Sequence, residues 1–576
     1  MNFLIDKVRR TRHDGSDDLL SAGLGLAGLA GSPVPFADPT APTPAELRRR
    51  AIQMGWNGIV DLGPLGGFGT VYGGVPFVPG REFSAFAKLP HAMQPHRVLC
   101  QVPDDFDATA RCLVVAPSSG SRGVYGPIGL AGAWGLPKGC AVVYTDKGTG
   151  SGYFDCRDGT GAALDGTRAE AGSAVLELEP RGYSAGDGIA VKHAHSRDNP
   201  EADWGADVLQ AVEFGLGMLG EAFPNLAPFT PENTRIIAIG TSNGGGAVLQ
   251  AAGVDAGGWL DGVVALEPQV HTPGHGRALY DYATEAALWL PAALAAPRFA
   301  TVPFARAGGN VPPASIARLE LLAARNLLPD GSADTQASAA LAHLREGGWT
   351  DAALDSAALS TAFDMWRAIG ATYASAYLRT GVGAMPGGFS FRASEVAGLS
   401  RAAVRATWWP DGTGIPPHPG VALSGGTDGS SDPTSPGILL LRALWEGDRR
   451  AAGVRATIAA LNAALPRTAL PIWIVHGDGD GLVPAAFTSV PYVDWLRSHG
   501  RRPRYWRVPH AQHFDAFLQL PGFGDRYVPL LPYGYAALDA VYAHVVSGAP
   551  LPDSPAPDAR PRGANPLRPD HLGLGF

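Results

Sequence analysis

The sequence predicts an α/β fold, with a mostly parallel sheet, helices on both faces and a large, mainly helical insertion. Short apolar runs bounded by glycine, proline or aspartate recur along the chain, as expected for buried parallel strands. Stretches with helical spacing or small side chains follow several of these runs. At 576 residues and 45% hydrophobic, the chain can bury a large core, and its length suggests more than one structural unit.

Six apolar runs are predicted to be strands of one sheet. They lie at residues 113–116, 140–145, 235–239, 262–266, 470–477 and 505–508. Polar or glycine-rich loops follow them, and in a parallel sheet such loops meet at one edge. Residues 206–219 and 492–498 carry apolar side chains at helical spacing and are predicted to be helices.

The third run leads into Gly240-Thr241-Ser242-Asn243-Gly244, and a small-residue stretch follows. A G-x-S-x-G sequence between a strand and a helix is typical of the nucleophile elbow of an α/β-hydrolase-type fold. The sharp turn exposes the serine hydroxyl, and the helix start directs free N–H groups at the place where an oxyanion forms. Ser242 is therefore the candidate nucleophile. The alternative is a chance match, since the chain holds 76 glycines.

An α/β-hydrolase places its acid after the nucleophile, in a loop beyond a later strand. The loop 478–484 follows the strand 470–477 and contains Asp480, the candidate acid. Asp478 in the same loop and Glu267 after the strand 262–266 are the alternatives. A calcium loop at Asp-Gly-Asp-Gly is disfavoured, because the other ligand positions of such a loop are absent.

The candidate base lies in the loop after the strand 505–508. His510 and His513 both suit the role, whereas His476 at the end of its strand is predicted to be a core residue. In the predicted mechanism the histidine takes the proton of Ser242, which attacks a carbonyl carbon. Water then hydrolyses the acyl-enzyme, while Asp480 orients the imidazole.

The oxyanion hole is predicted from main-chain N–H groups. One is that of Asn243, directly after the nucleophile. The other comes from the Ser/Gly loop after the strand 113–116, at Ser119 or Gly120.

Several segments resemble the bacterial D-(-)-3-hydroxybutyrate oligomer hydrolases, also called hydroxybutyrate-dimer hydrolases. They are residues 17–25, 146–153, 241–246, 259–264, 491–493 and 511–517, and the similarity runs from about residue 6 to about residue 550. The resemblance implies hydrolysis of ester bonds in short 3-hydroxybutyrate oligomers, the dimer included, during polyhydroxybutyrate breakdown. It places the nucleophile on Ser242 and favours His513 over His510. The tannases and feruloyl esterases resemble the sequence more distantly and are the alternative enzyme class. A non-catalytic hydrolase fold used for binding is the second alternative.

The distance along the chain between Ser242 and Asp480, 238 positions, predicts a large insertion. The predicted organisation is an N-terminal extension packed on the core (1–104), a first core part with the elbow (105–267), the insertion (268–465), a second core part with the acid and histidine loops (466–548) and a poorly ordered C-terminal tail (549–576). Glycine- and proline-rich loops break the insertion near 308–313, 381–388 and 410–436. We expect the insertion to form a lid over Ser242, although a bundle that only enlarges the core is the alternative.

The insertion offers candidates for the pocket wall. They are four tryptophans, most of them expected in the core, and one arginine as a clamp for a substrate carboxylate: Trp289, Trp366, Trp408, Trp409 and Arg306.

Composition narrows the partners. The formal charge is −8 and no Lys/Arg block occurs, so we expect a small-molecule ester as substrate and neither nucleic acid nor a membrane as partner. No cofactor or metal is expected, and two G-x-G-x-x-G matches, at 23–28 and 215–220, lack the strand-to-helix setting of a nucleotide site. The oligomeric state is left open.

The compartment also stays open. The first 30 residues resemble a signal peptide only weakly. If Met1 is the natural start, the lack of a convincing signal peptide favours the cytoplasm. An extracellular location is the alternative. The four cysteines, Cys100, Cys112, Cys140 and Cys156, match no zinc pattern. They allow one or two disulfides in an exported protein or plain core positions.

Overall fold

A computed structural model describes residues 1–412, 414–416, 419–427, 432, 435–447, 449–553 and 555–574. Of the predicted loop 410–436, residues 413, 417, 418, 428–431, 433 and 434 lie outside the described residues. The described strands are β1 Arg9–His13, β2 Gly80–Ala87, β3 His96–Pro103, β4 Cys112–Pro117, β5 Ala141–Thr145, β6 Tyr153–Asp155, β7 Thr160–Ala162, β8 Arg168–Glu170, β9 Ile189–Val191, β10 Arg235–Thr241, β11 Gly262–Leu266, β12 Ser390–Ala393, β13 Val421–Ser424, β14 Ile472–Gly477 and β15 Arg504–Val508.

The described α-helices alternate with these strands and dominate the insertion. They are α1 Gly25–Ala30, α2 Pro44–Asn57, α3 Ala133–Gly135, α4 Lys192–His195, α5 Pro200–Ala222, α6 Asn243–Val254, α7 Leu279–Ala293, α8 Pro313–Ala324, α9 Ala333–Glu346, α10 Asp351–Ala362, α11 Met365–Tyr377, α12 Arg401–Arg405, α13 Ile438–Glu446, α14 Arg449–Ala459, α15 Ser489–Ser498, α16 Leu531–Ser547 and α17 Pro569–Leu572.

One nine-stranded sheet organises the molecule, in the order β1-β2-β3-β5-β4-β10-β11-β14-β15. Every pairing from β5 to β15 is parallel, and the pairings of β1, β2 and β3 are antiparallel. The predicted α/β-hydrolase-type fold, with a mostly parallel sheet, is confirmed. All six predicted strands belong to it.

Apolar side chains leave the sheet on both faces, which is why its central strands are continuous apolar runs. In β10, Ile236 and Ala238 enter the core beneath α5, α6 and α15, while Ile237 and Ile239 enter the core beneath α2, α7 and α16. The two hydrophobic cores fix β10 at the middle of the sheet, and with it the turn that follows.

The N-terminal region contributes to the sheet itself. Residues 1–104, for which the sequence predicts an extension packed on the core, supply the three antiparallel strands at one edge. These strands pair with each other and with β5 through main-chain hydrogen bonds.

The C-terminal segment differs from the poorly ordered tail that its composition predicts. Leu567 and Leu572 are buried in the larger core, and the Tyr533 hydroxyl donates to the carbonyl of Leu572 at 2.7 Å. Proline is the commonest residue here, but leucines of the segment pack against the core in its described part.

The insertion lies between β11 and β14 and contains α7 to α14 with the β12–β13 hairpin. Its predicted breaks at 308–313 and 381–388 fall where α8 begins and after α11 ends. The four cysteines are buried and free, so they occupy core positions. In the described part of the chain, no helix has both the length and the apolarity needed to cross a bilayer.

Candidate active site

Ser242 lies in a sharp turn between β10 and α6, with φ 57° and ψ −123°. This backbone conformation is rare for a residue with a side chain and is held by the surrounding structure. The N–H of Ser242 donates to the carbonyl of Leu266 at 2.9 Å, which ties the turn to β11. A Cβ on Gly240 would lie 2.2 Å from the carbonyl oxygen of Gly244, so the two motif glycines allow the turn to close.

His513 joins Ser242 to Asp480. Its Nε2 lies 3.0 Å from the Oγ of Ser242, and its Nδ1 lies 2.7 Å from the Oδ2 of Asp480. All three side chains are buried. The structure therefore brings together the three residues that the sequence singles out, from the loops after β10, β14 and β15.

The Asp480 carboxylate is well supplied with donors. Its Oδ1 accepts from the N–H groups of Leu482 and Val483 at 2.9 and 2.8 Å. Burial by itself raises the pKa of Asp480, but His513 and His476 outweigh it and hold that pKa well below the ordinary value. Because an ionised carboxylate only accepts, Nδ1–H of His513 donates to it and Nε2 is left to accept from the Ser242 hydroxyl.

The alternative acids occupy other positions. Asp478 forms an ion pair with Arg507 at 2.6 Å. Glu267 is buried behind the elbow, where its Oε1 accepts from the Thr241 hydroxyl at 2.6 Å. Burial and the nearby Asp480 raise the pKa of Glu267 well above its ordinary value, which disfavours the ionised form that the acid of a triad needs.

The other two histidines have different surroundings. His510 is exposed. His476 is buried as predicted, but its Nε2 also lies 3.3 Å from the Oδ2 of Asp480 and 2.8 Å from the carbonyl of Val483. It therefore helps to position the acid, a role that its place in a strand did not indicate.

The loop after β4 lies beside Ser242. The N–H groups of Ser119 and Gly120 donate to no described residue, and the N–H of Asn243, in the first turn of α6, has no acceptor within its helix. Ser119, Gly120, Ser242 and Asn243 line the same cavity. The residues predicted to supply the oxyanion donors thus border the same cavity as the hydroxyl of Ser242.

A buried lysine supports this loop. The Nζ of Lys147 donates to the carbonyl of Gly120 at 2.7 Å, to Oγ1 of Thr149 at 2.9 Å and to Oγ of Ser118 at 3.3 Å. Burial lowers the pKa of Lys147 to about 7. The sequence reasoning missed this residue, although it lies in the motif Asp146-Lys147-Gly148 after β5.

The cavity above Ser242 has a volume of about 570 Å³, within the usual range for small-molecule sites. The insertion supplies much of its wall, from α7, α10, α11 and residues 411, 412 and 414–416. Tyr373 of α11 accepts a hydrogen bond from the side chain of Asn243 at 2.9 Å, which links the insertion to the residue after the nucleophile. The wall is mostly apolar, with Leu279, Leu359, Met365 and Ile369 among its residues.

Some predicted wall residues lie elsewhere. None of the four candidate tryptophans is among the described residues that line the cavity. Arg306 is not there either, because its guanidinium donates to the main-chain carbonyls of residues 294–296. Arg122, which the sequence reasoning did not consider, does line the cavity.

Comparison with known proteins identifies the family of the chain. Residues 2–573 match the family 3HB-oligomer hydrolase. The chain belongs to this family. Two similar members are each called D-(-)-3-hydroxybutyrate oligomer hydrolase: that of Paracidovorax citrulli, 37% identical over 98% of this chain and 90% of that protein, and that of Burkholderia thailandensis, 38% identical with the same coverage.

Solved structures that resemble this family member are esterases and a lipase. Feruloyl esterase B from Aspergillus oryzae aligns with a TM-score of 0.37 and 12% identity, over 86% of this chain and 85% of that one. Candida antarctica lipase A in its closed state aligns with a TM-score of 0.35 and 11% identity, over 86% and 84%.

Proposed function

We propose that this protein hydrolyses ester bonds in short 3-hydroxybutyrate oligomers, the dimer included, and so completes the breakdown of polyhydroxybutyrate to its monomer. The observation that carries the proposal is the bridge made by His513 between Ser242 and Asp480 at the base of an apolar cavity. Membership of the oligomer hydrolase family supports the choice of substrate.

The first half of the reaction forms an acyl-enzyme. Nε2 of His513 takes the proton of Ser242, whose Oγ attacks the ester carbonyl carbon. The N–H groups of Asn243 and of Ser119 or Gly120 donate to the oxyanion. His513 then gives its proton to the leaving alkoxide, which departs as the hydroxyl end of a 3-hydroxybutyrate unit.

The second half regenerates the enzyme. His513 removes a proton from water, the resulting hydroxide attacks the acyl carbon, and Ser242 leaves with that proton. Asp480 stays ionised throughout and stabilises the imidazolium in both halves. The insertion acts as a lid that keeps bulk water from the cavity.

Active-site labelling and variant turnover test the mechanism. A fluorophosphonate is expected to label Ser242 alone, and Ser242→Ala is expected to abolish dimer hydrolysis with an unchanged circular dichroism spectrum. Labelling of another residue, or full activity of the variant, contradicts Ser242 as the nucleophile. A wild type that is neither labelled nor active on esters favours a binding protein instead.

Substrate comparison tests the specificity. Turnover of the 3-hydroxybutyrate dimer is expected to exceed that of crystalline polyhydroxybutyrate and of methyl ferulate, because the cavity is mostly apolar and its volume of about 570 Å³ suits a small aliphatic ester. A preference for the ferulate ester favours the tannase and feruloyl esterase class instead.

A further inference from the structure

Arg122 is an exception among the buried arginines. Five others, Arg48, Arg97, Arg318, Arg405 and Arg442, each form an ion pair with a carboxylate of the described part of the chain. Arg122 is equally buried, at 8% exposure, yet it forms no ion pair with any described carboxylate. A buried cation without a counter-ion is costly, so its position calls for an explanation.

The partners of Arg122 account for only part of its guanidinium. Its Nη2 donates to the carbonyl of Gly58 at 2.9 Å, and its Cζ lies 5.7 Å from the centre of the Phe514 ring. Nε and Nη1 have no hydrogen-bond acceptor among the described residues. Two glycines make room for the side chain, because a Cβ on Gly58 or on Gly414 would lie within 3.0 Å of it.

Arg122 is a wall residue of the same cavity as Ser242. It follows the oxyanion loop directly, and its N–H donates to the carbonyl of Ser119 at 3.1 Å. Phe514 connects it to the base, since the Phe514 ring also lies 4.3 Å from the ring of His513. The side chain of Arg122 therefore borders the same cavity as Ser242, and Phe514 lies between it and the base.

The charge of the cavity is not balanced by its own residues. Asp411 is the other charged residue among the described lining residues, and Arg50 pairs with it at 3.1 Å. Burial lowers the pKa of Arg122 to about 10, which still leaves it cationic at neutral pH. The cavity thus presents one uncompensated positive charge in an apolar wall, the arrangement that binds a carboxylate bearing an apolar body.

We propose that Arg122 binds the free terminal carboxylate of the substrate and so directs cleavage to the ester bond nearest that end. The proposal rests on the oligomer hydrolase function proposed above. In a 3-hydroxybutyrate chain the carboxylate always belongs to the alcohol side of every ester bond, so Arg122 holds the leaving unit. In the dimer only one unit separates the scissile carbonyl from the carboxylate, about 5 Å by ordinary bond lengths.

The polarity of release follows from this placement. Each turnover frees one monomer from the carboxyl end, while the acyl part with its hydroxyl end stays on Ser242 until water removes it. The interior units and the hydroxyl end of a chain carry no charge that could pair with Arg122. Binding of either at this position is therefore disfavoured. The subsite therefore selects free-acid oligomers and exo cleavage.

A charge-matched substrate pair tests the subsite. The wild-type kcat/KM is expected to be at least about tenfold higher for the dimer free acid than for its methyl ester. Arg122→Gln is expected to lower kcat/KM for the free acid about 100-fold, mainly through KM, and to change the methyl ester less than about threefold. Arg122→Lys is expected to restore part of the loss, since lysine keeps the positive charge but cannot make the two parallel hydrogen bonds of a guanidinium. Arg325→Gln, at an exposed position directly after α8, is the matched control and is expected to match the wild type.

The outcomes separate the two proposals. Equal loss for acid and ester in Arg122→Gln, or a wild type indifferent to the methyl group, contradicts the subsite while turnover of the dimer upholds the function. A wild type that hydrolyses neither form contradicts the function and the subsite with it. If Arg122→Gln does not fold, the wild-type comparison and Arg122→Lys still decide.

A trimer labelled in its carboxyl-terminal unit tests the polarity. The first labelled product is expected to be monomer. Label that appears first in dimer contradicts cleavage from the carboxyl end.

Discussion

The acid of the candidate triad is defined by its donors more than by its place in the sequence. Asp480 and Asp478 lie in one loop, yet one accepts from His513 and two main-chain N–H groups, and the other pairs with Arg507. The same residue type, two positions apart, therefore has a catalytic setting in one case and a surface setting in the other.

We expect Asp480→Asn to lower kcat for the dimer by about 10⁴-fold with little change in KM, because an amide stabilises the wrong tautomer of His513 and no imidazolium. Asp478→Asn is the matched control and is expected to keep near wild-type kcat. Steady-state kinetics of both variants provide the measurement. Comparable losses in the two variants contradict the assignment of the acid.

Lys147 makes the stability of the protein depend on pH. Its pKa is about 7 in the folded state and ordinary, near 10.4, in the unfolded chain, so between these values only the unfolded chain binds the proton. The free energy of unfolding therefore rises with pH in this window, by up to about 1.4 kcal/mol per pH unit from this group.

Comparison with Lys147→Met isolates this contribution. The wild-type free energy of unfolding minus that of the variant is expected to grow between pH 7 and pH 9, measured by urea denaturation. A difference that stays constant over this range means that Lys147 titrates normally.

Of the single residues of the candidate site, the sequence predicts those that belong to a short local motif. Ser242 has a five-residue signature, and chain order limits the acid and the base to two loops. Lys147 and Arg122 have no such signature, because each acquires its role from residues far away in the sequence, such as Gly120 beside Lys147 and Gly58 beside Arg122. Conversely, Arg306 carried the right chemistry but lies outside the cavity.

Helix α6 begins directly after Ser242, and the glycines of its first turns pack against main-chain carbonyl groups of neighbouring segments. A Cβ on Gly246 would lie 2.0 Å from the carbonyl oxygen of Gln269, and one on Gly244 would lie 2.5 Å from that of Pro117. The small-residue run after Ser242 is therefore a packing requirement as well as a signature of the turn.

We expect Gly246→Ala to lower the free energy of unfolding by about 1 to 3 kcal/mol and to reduce kcat, because backbone must move to admit the methyl group. Gly74→Ala, where a Cβ meets nothing within 4 Å, is the control. Denaturation midpoints and dimer kinetics provide the measurement. A wild-type midpoint for Gly246→Ala contradicts this packing account.

The central strands of the sheet were predicted better than the strands at its edge. The central strands are apolar on both faces and stand out in the sequence, whereas β1 to β3 at the edge of the sheet were included in an extension. The outermost strand, Arg9–His13, contains only polar and charged residues, and its pairing with β2 is a long-range property.

At the scale of the whole molecule, the insertion and the sheet share one core. The larger hydrophobic cluster joins Val264 and Trp473 of the sheet to Leu341 and Trp366 of the insertion. Sequence spacing indicates where the insertion begins and ends but not that its helices complete the core of the sheet.

A shared core predicts a single cooperative unfolding transition. Tryptophan fluorescence, far-ultraviolet circular dichroism and esterase activity are expected to follow the same urea curve. Two separated transitions, with loss of activity at the first, contradict this and indicate an insertion that unfolds independently.

The four buried cysteines are built-in probes of local opening of the structure. Cys100 and Cys112 lie in β3 and β4. Burial raises the pKa of the Cys100 thiol, and a hydrogen bond with Cys140 together with burial raises the pKa of the Cys112 thiol, so the reactive thiolate is disfavoured at both. Reaction with a thiol reagent must wait for the strand that carries the cysteine to separate from its neighbours. The rate at which each thiol is alkylated under native conditions therefore measures how often that part of the sheet opens, with no probe attached.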